Sequence, residues 1–230
     1  MRILITGAGQ GLGSWIARLA LERGHNVIAT VHALSHVCEE TQALCAAFPV
    51  QFRLLKMDVT SDRDVEALLR AEQPQLDAIV NNAGIMIERD HTIEELDLDA
   101  VIRSFQVNTV GPMRVVQKLL PLLSAGTRSC IVNISSEAGT IINAFPTNYA
   151  YSMSKCALNM FSERLREYLK ERDILVYAVH PGWMRTNMGG CDAPADPADI
   201  ANGILDILER KKKIYSKIAF IDSTGRPMPL

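Results

Sequence analysis

The sequence predicts an α/β domain built on a parallel sheet with helices on both faces. Three observations carry that expectation. Short runs rich in β-branched residues alternate with longer stretches of helical period along all 230 residues, the pattern of strand–helix–strand units. Those runs are apolar throughout, as in IVNI at 131–134 and LVYAV at 175–179, where a sheet with one wet face would alternate. The first run also passes directly into a turn with glycine at 7, 9, 11 and 13 that opens a helix.

In chain order, strands are expected at 2–6, 26–31, 51–57, 78–81, 129–134, 175–180 and 217–221. The first helix continues from the glycine turn through Ser14-Trp15-Ile16-Ala17-Arg18-Leu19-Ala20. Thr60-Ser61-Asp62 opens another ahead of Val65, Leu68 and Leu69, since a hydroxyl or carboxylate there can accept from an unpaired N–H of the first turn. Asp196-Pro197 opens a third ahead of Ile200, Ile204 and Leu208; proline suits the first turn, where its missing N–H is not needed. The longest helices are expected at 98–123 and 148–170, as candidates for core packing and for a subunit interface. The charge run Arg210-Lys211-Lys212-Lys213 reads as a solvated last helical turn whose cations suit the negative end of the helix dipole. No repeat or linker interrupts the pattern, so the expectation is one domain over 1–230.

Composition narrows the function. Lys+Arg total 24 against Asp+Glu 26, a net charge of −2, and 48% of residues are hydrophobic. A chain of this size and apolarity buries a core without disulfides or metals. A near-neutral charge gives no basic face for nucleic acid or an anionic membrane, so the expected partner is a small molecule other than a polyanion. Cys38, Cys45, Cys130, Cys156 and Cys191 are odd in number and form no C-x-x-C pair, which fits a reducing compartment. The apolar start is too short for a signal peptide and no run reaches the roughly 18 residues of a membrane span. A cytoplasmic location is therefore expected.

Thr6-Gly7-Ala8-Gly9-Gln10-Gly11-Leu12-Gly13 lies at the first strand–helix junction, the context phosphate binding needs. Glycines let the backbone turn and approach closely, and the helix start offers N–H groups to a pyrophosphate. The spacing is T-G-x-x-x-G-x-G. A site preferring NAD usually has an acid at the end of the second strand to accept from the ribose 2′-OH, and this chain has Ala29-Thr30-Val31-His32 there. With no acid to repel a 2′-phosphate, NADP(H) is favoured, with NAD(H) possible. The basic partner would be His32, only partly charged at neutral pH.

Tyr151 and Lys155 are four residues apart in a predicted helix, hence on one face and one turn apart. A free tyrosine of pKa about 10 is ionised in about one molecule per thousand at pH 7, and bringing it into range costs about 3–4 kcal/mol. A unit charge about 4 Å away at an effective dielectric near 20 supplies about that much. Ser135 and Ser136 end one apolar strand and Asn81-Asn82-Ala83-Gly84 another, at the carboxyl ends where open α/β sheets place ligands.

Together, TGAGQGLG at 6–13, DV at 58–59, NNAG at 81–84, Asn108, NISS at 133–136, YSMSK at 151–155 and PGWMRT at 181–186 resemble the short-chain dehydrogenase/reductase superfamily over nearly the whole chain. The resemblance implies a single Rossmann-type NAD(P)-binding domain with a seven-stranded parallel sheet in the order 3-2-1-4-5-6-7. It implies that Tyr151 is the general acid/base, that Lys155 lowers its pKa and binds ribose hydroxyls, that Ser136 binds the reacting carbonyl, and that Asn108 holds a water linking Lys155 to solvent. Ser136 is taken over Ser135 because the second hydroxyl of NISS is the family's catalytic one. It further implies that Gly7, Gly11 and Gly13, with Gly9, Gln10 and Leu12 of the same turn, hold the pyrophosphate. Asp58 and Val59 would contact adenine, Asn82, Ala83 and Gly84 the adenosine ribose, and Pro181, Gly182 and Thr186 the nicotinamide end. Gln10 departs from the pattern, since many NADPH-binding members are basic there. Ser136 and Tyr151 are 15 residues apart, wider than usual, so the loop 137–148 carries an insertion. Tyr149 is the rival phenol, but its i+4 residue is Met153, which supplies no charge.

The closing stretch 220–230 and the short segment after Thr186 resemble the subgroup of sniffer-type carbonyl reductases and C-factor signalling proteins. The expected function is hydride transfer between a nicotinamide and a carbonyl or secondary alcohol, as an NADPH-dependent reductase of small apolar aldehydes or ketones. The alternative is a dinucleotide-binding sensor without turnover. By resemblance the protein is a homodimer or homotetramer through its two long helices. His32, His36 and Cys38 lack a suitably spaced fourth ligand, so no metal is expected. His180 reads as a hydrogen-bonded strand-end residue. Ile141, Ile142, Phe145, Trp183, Met184 and Met188 are either loop packing or an apolar substrate pocket.

Overall fold

Seven strands, β1 (Arg2–Thr6), β2 (Asn26–Val31), β3 (Phe52–Lys56), β4 (Ala78–Asn81), β5 (Cys130–Ile134), β6 (Leu175–His180) and β7 (Phe220–Asp222), form one sheet in the order β3-β2-β1-β4-β5-β6-β7. Every pairing is parallel. The computed structural model describes residues 1–71, 75–123 and 129–230. The helices are α1 (Gly11–Glu22), α2 (Glu39–Ala47), α3 (Asp62–Ala71), α4 (Leu98–Phe105), α5 (Gly111–Leu119), α6 (Tyr149–Leu169) and α7 (Pro197–Leu208).

The apolar strands are buried on both faces, as their lack of alternation predicts. Ile3, Ile5, Val80 and Val132 point to the side covered by α1 and α7. Leu4, Ile79, Ile131 and Val176 point to the side covered by α3, α5 and α6. Helix starts follow the expected capping: Ser61 Oγ accepts from Asp64 N at 3.2 Å, and the Asp196 carboxylate from Ala198 N at 2.9 Å.

Three expectations need correction. The helix expected at 98–123 is interrupted by a π-helical turn at Gln106–Val110, where Gly111 N–H reaches five residues back to Gln106 O, and it ends as a 3-10 turn at Leu120–Leu122. The cause is Gly111-Pro112, since Pro112 has no N–H to give the carbonyl of Asn108 four residues back. The last strand begins later than 217 because Ser216 Oγ closes a turn on Ile218, accepting from its N–H at 3.2 Å and donating to its carbonyl at 2.7 Å. The charge run lies beyond α7 rather than in its last turn. Arg210 takes a left-handed φ of +54°, and its N–H and that of Lys211 cap Ile207 O and Asp206 O.

Strand order reverses between β1 and β4, so the loops after β1, β4, β5 and β6 meet at the sheet's carboxyl edge. Ligands of open α/β sheets lie at such a switch point.

Candidate active site

The floor of the site is the exit of β1 tied to the exit of β4. Thr6 Oγ1 accepts from Asn82 N and Ala83 N, both at 3.1 Å, and Asn82 Nδ2 donates to Thr6 O and Gly7 O at 3.0 and 2.9 Å. Both amide protons of Asn82 are thus spent on the backbone, which makes it a staple between the loops after β1 and β4. Gly7 has φ +65°, and a Cβ there would stand 2.7 Å from Ala83 Cα; only glycine lets the two loops close. Thr6 was missed as a site residue; its hydroxyl opening the glycine motif was the available signal.

Gln10 caps α1 without a side-chain cap bond, so the N–H groups of the first turn remain for an anion. Its Oε1 instead accepts from Asn187 Nδ2 at 2.7 Å, linking the glycine turn to the loop after β6. The Thr186 methyl lies beside Gly11, and a groove of about 310 Å³ lined by Gln10, Gly11, Ser14, Arg18, Thr186 and Asn187 follows this junction. At the other end the His32 side chain is 78% exposed, with Nε2 3.5 Å from Asp58 Oδ2, while Asp58 Oδ1 is held by Thr60 N and Oγ1 at 2.8 Å each. The close-packed turn, the uncapped helix start and the half-exposed Asp58 fit a dinucleotide lying from His32 towards Thr186.

The second constellation forms where α6 crosses β5. Tyr151 is 8% exposed, and the nearby Ser136 hydroxyl favours its anion. Ser135 instead points inward to Asn159. Lys155, 4% exposed, donates to Ile134 O at 2.7 Å, and its Nζ lies 5.5 Å from the Tyr151 ring centroid. Burial pushes Tyr151 above its ordinary value, against the opposing influence of the Ser136 hydroxyl, and brings Lys155 down to about 8. Desolvation thus works against the phenolate and favours the protonated phenol.

The Asn108 side chain is fully engaged within the fold. Its Oδ1 accepts from Ile85 N at 2.8 Å, and its Nδ2 donates to Ile85 O at 2.9 Å and Ser154 Oγ at 3.0 Å. Ser154 Oγ donates on to Tyr151 O at 2.7 Å. The side chain thus braces α6 against the loop after β4. The group Asn108 can offer a water is its carbonyl, which Pro112 leaves without the usual helical donor.

The segment after Ser136 forms a short strap on α6. Ser136 Oγ accepts from Ala138 N at 3.1 Å, and a Cβ on Gly139 would stand 2.7 Å from both Lys155 C and Cys156 N. Beyond it, Ile141, Ile142 and Phe145 of the longer loop are exposed, as is Trp183 opposite, whose indole N–H is pinned to Gly189 O at 2.7 Å. These side chains are not packed into their loops; Met184 is, against the core on the α1 side. Tyr149 is the first residue of α6 and is less buried than Tyr151. Among the described residues there is no group of side chains that could hold a metal ion, and no helix long and apolar enough to cross a membrane.

Residues 1–195 match the family model for short chain dehydrogenases. The C-signal protein of Myxococcus xanthus is 32% identical over 155 residues, covering 67% of this chain and 92% of that protein. The structure of the carbonyl reductase Sniffer of D. melanogaster superposes with a TM-score of 0.89 at 26% identity, covering 100% of this chain and 99% of the other. A short-chain dehydrogenase/reductase from Burkholderia multivorans with bound NADP gives 0.87 at 29%, covering 100% and 99%. The chain belongs to the short-chain dehydrogenase family, as an oxidoreductase that uses a nicotinamide dinucleotide.

Proposed function

We propose that the protein is an NADPH-dependent reductase of small apolar aldehydes and ketones. The observation that carries this reading is the buried Tyr151 phenol at the exit of β5, with the buried Lys155 ammonium 5.5 Å from its ring and tied to Ile134 O. A reduction needs a proton donor, and a phenol kept protonated is one. Ser136 binds the carbonyl oxygen and orients it towards Tyr151. Lys155 lies behind the phenol and offsets the charge it acquires on giving up its proton, while Asn108 braces α6 so that the two stay aligned. The bound nicotinamide supplies or accepts the hydride. The first turn of α1, with Gly7, Gly9, Gln10, Gly11, Leu12 and Gly13, holds the pyrophosphate. Pro181, Gly182 and Thr186 flank the nicotinamide end; Asp58, Val59, Ala83 and Gly84 flank the adenosine.

NADPH is preferred because the end of β2 presents the exposed His32 and no acid, and the Burkholderia relative holds NADP. The exposed Ile141, Ile142, Phe145 and Trp183 form an apolar lip that selects uncharged, hydrophobic carbonyls. Exposed Leu98 and Ile102 on α4 and Met160 and Tyr168 on α6 are the surface for self-association.

A dinucleotide sensor is the second reading, favoured by the similarity to C-signal. A sensor has no need of a buried lysine whose pKa is brought down to about 8. Fluorescence titration with NADPH and NADH, followed by a panel of aldehydes and ketones read at the nicotinamide absorbance band, separates the two. Tighter NADPH binding with turnover of apolar panel members is expected. Binding without any turnover would move the conclusion to the sensor, and no binding of either nucleotide would overturn both.

A further inference from the structure

The parallel ladder between β5 and β6 ends in an unusual rung. Ile134 lies opposite Val179, and Ser135 N–H donates to Val179 O at 2.8 Å. The next rung would take Glu137 N–H to the carbonyl of residue 181, but the chain turns away at Pro181-Gly182, where Gly182 has φ +84°. Glu137 N–H donates instead to the ring Nδ1 of His180 at 3.1 Å. An imidazole nitrogen of β6 thus fills the place of a backbone carbonyl, one residue after Ser136.

We propose that His180 is a positioning residue, which anchors the Ser136 strap through its unprotonated Nδ1 and releases it when the ring takes up a proton. This rests on the role given to Ser136 above. A backbone N–H can only donate, so Nδ1 must be bare and the ring proton sits on Nε2, which lies 3.9 Å from Glu137 Oε2. A second proton would go to Nδ1 and set two N–H groups against each other.

The strap transmits the loss in two directions. Ser136 caps the turn through Ala138 N–H, and Gly139 N–H donates to Ser136 O at 3.1 Å. Gly139 in turn rests on the backbone of Lys155. Movement at Glu137 therefore reaches both the Ser136 hydroxyl and the helix carrying Tyr151 and Lys155.

The charged groups around the ring are the Glu137 carboxylate on the strap and Asp222 of β7, opposite His180 in the sheet. Asp222 is itself held by Thr224 and by the N–H and charge of Arg226. Both carboxylates favour the ring cation, but burial outweighs them and keeps His180 below its ordinary value. The anchor is therefore intact at neutral pH and lost on acidification.

Asparagine at 180 keeps an acceptor in the place of Nδ1 but cannot titrate, whereas leucine keeps bulk and removes the acceptor. The test follows the Glu137 and Ala138 amide resonances against pH in the wild type and His180→Asn, with kcat profiles and dinucleotide affinity for both and for His180→Leu. In the wild type, the Glu137 amide shifts with an inflection below about 6.5, the ordinary histidine value, and kcat falls through the same range. In His180→Asn both become flat there while neutral-pH turnover persists. In His180→Leu, kcat drops about tenfold at neutral pH with dinucleotide affinity unchanged, well within the ~10²-fold that misplacement by an ångström costs. An acid limb or an amide titration that survives in His180→Asn would overturn the proposal. A wild type inactive on every carbonyl, with the amide titration still abolished by His180→Asn, would support the anchor and overturn the reductase reading instead.

Discussion

The Lys155 ammonium donates to the carbonyl of Ile134, the last residue of β5, at 2.7 Å. This bond fixes the buried cation at the end of the strand that leads into Ser135 and Ser136, so sheet and helix hold the two halves of the proposed proton-donating site in common register. Lys155→Met fills the same space without charge. It removes a hydrogen bond of about 1 kcal/mol but also the cost of burying a cation, so Tm should change little. Carbonyl reduction should fall about 10²-fold or more through lost electrostatic support. Retained kcat in a folded Lys155→Met protein would remove Lys155 from the site.

The two directions of reaction should respond to alkali with opposite sign. Burial lowers Lys155 to about 8, so its charge is lost as pH rises through about 8, and reductive kcat should decline across that range. Alcohol oxidation needs the Tyr151 phenolate, which burial pushes above its ordinary value of about 10, and its rate should climb through the alkaline range. Initial rates in both directions over a pH series read this directly. Parallel profiles would contradict it.

Gly139→Ala introduces a methyl 2.7 Å from backbone atoms of Lys155 and Cys156. Backbone cannot rotate away, so the strap must lift off α6. Overpacking of this kind costs about 1–3 kcal/mol, visible as a lower Tm, and kcat should fall about tenfold or more because Ser136 moves. Dinucleotide affinity, set on the β1 side, should change much less.

Cofactor preference should follow the charge at position 32. His32→Arg adds a permanent cation and should improve NADPH over NADH by about 10- to 100-fold, the value of a charge-assisted hydrogen bond of about 1.5–3 kcal/mol. His32→Asp should reverse the preference. The ratio of kcat/KM for the two nucleotides is the readout, and a ratio indifferent to both substitutions would place the discriminating contact elsewhere.

What could be read from the sequence was what local pattern determines. The uninterrupted apolar runs located the core strands, the glycine turn marked the β1–α1 junction, and the i, i+4 spacing put Tyr151 and Lys155 on one face. What could not be read depends on partners distant along the chain. Asn108 bonds to Ile85, Asn82 to Thr6 and Gly7, and Glu137 to His180. These side chains brace the loops around the site, because a buried polar atom takes whatever partner the tertiary fold brings to it. The break in the helix expected at 98–123 was foreshadowed by Gly111-Pro112, but the apolar period continues through it, and period alone does not distinguish a π turn from an α turn.

Tyr151→Phe removes one oxygen and leaves the ring packed. Turnover of an apolar aldehyde with NADPH should fall by about 10²- to 10⁴-fold, the usual contribution of a positioned general acid, while the NADPH dissociation constant and Tm stay near those of the wild type. A Tyr151→Phe protein that binds NADPH and reduces the aldehyde at the wild-type rate would contradict the assignment of Tyr151 as the proton donor and the mechanism built on it.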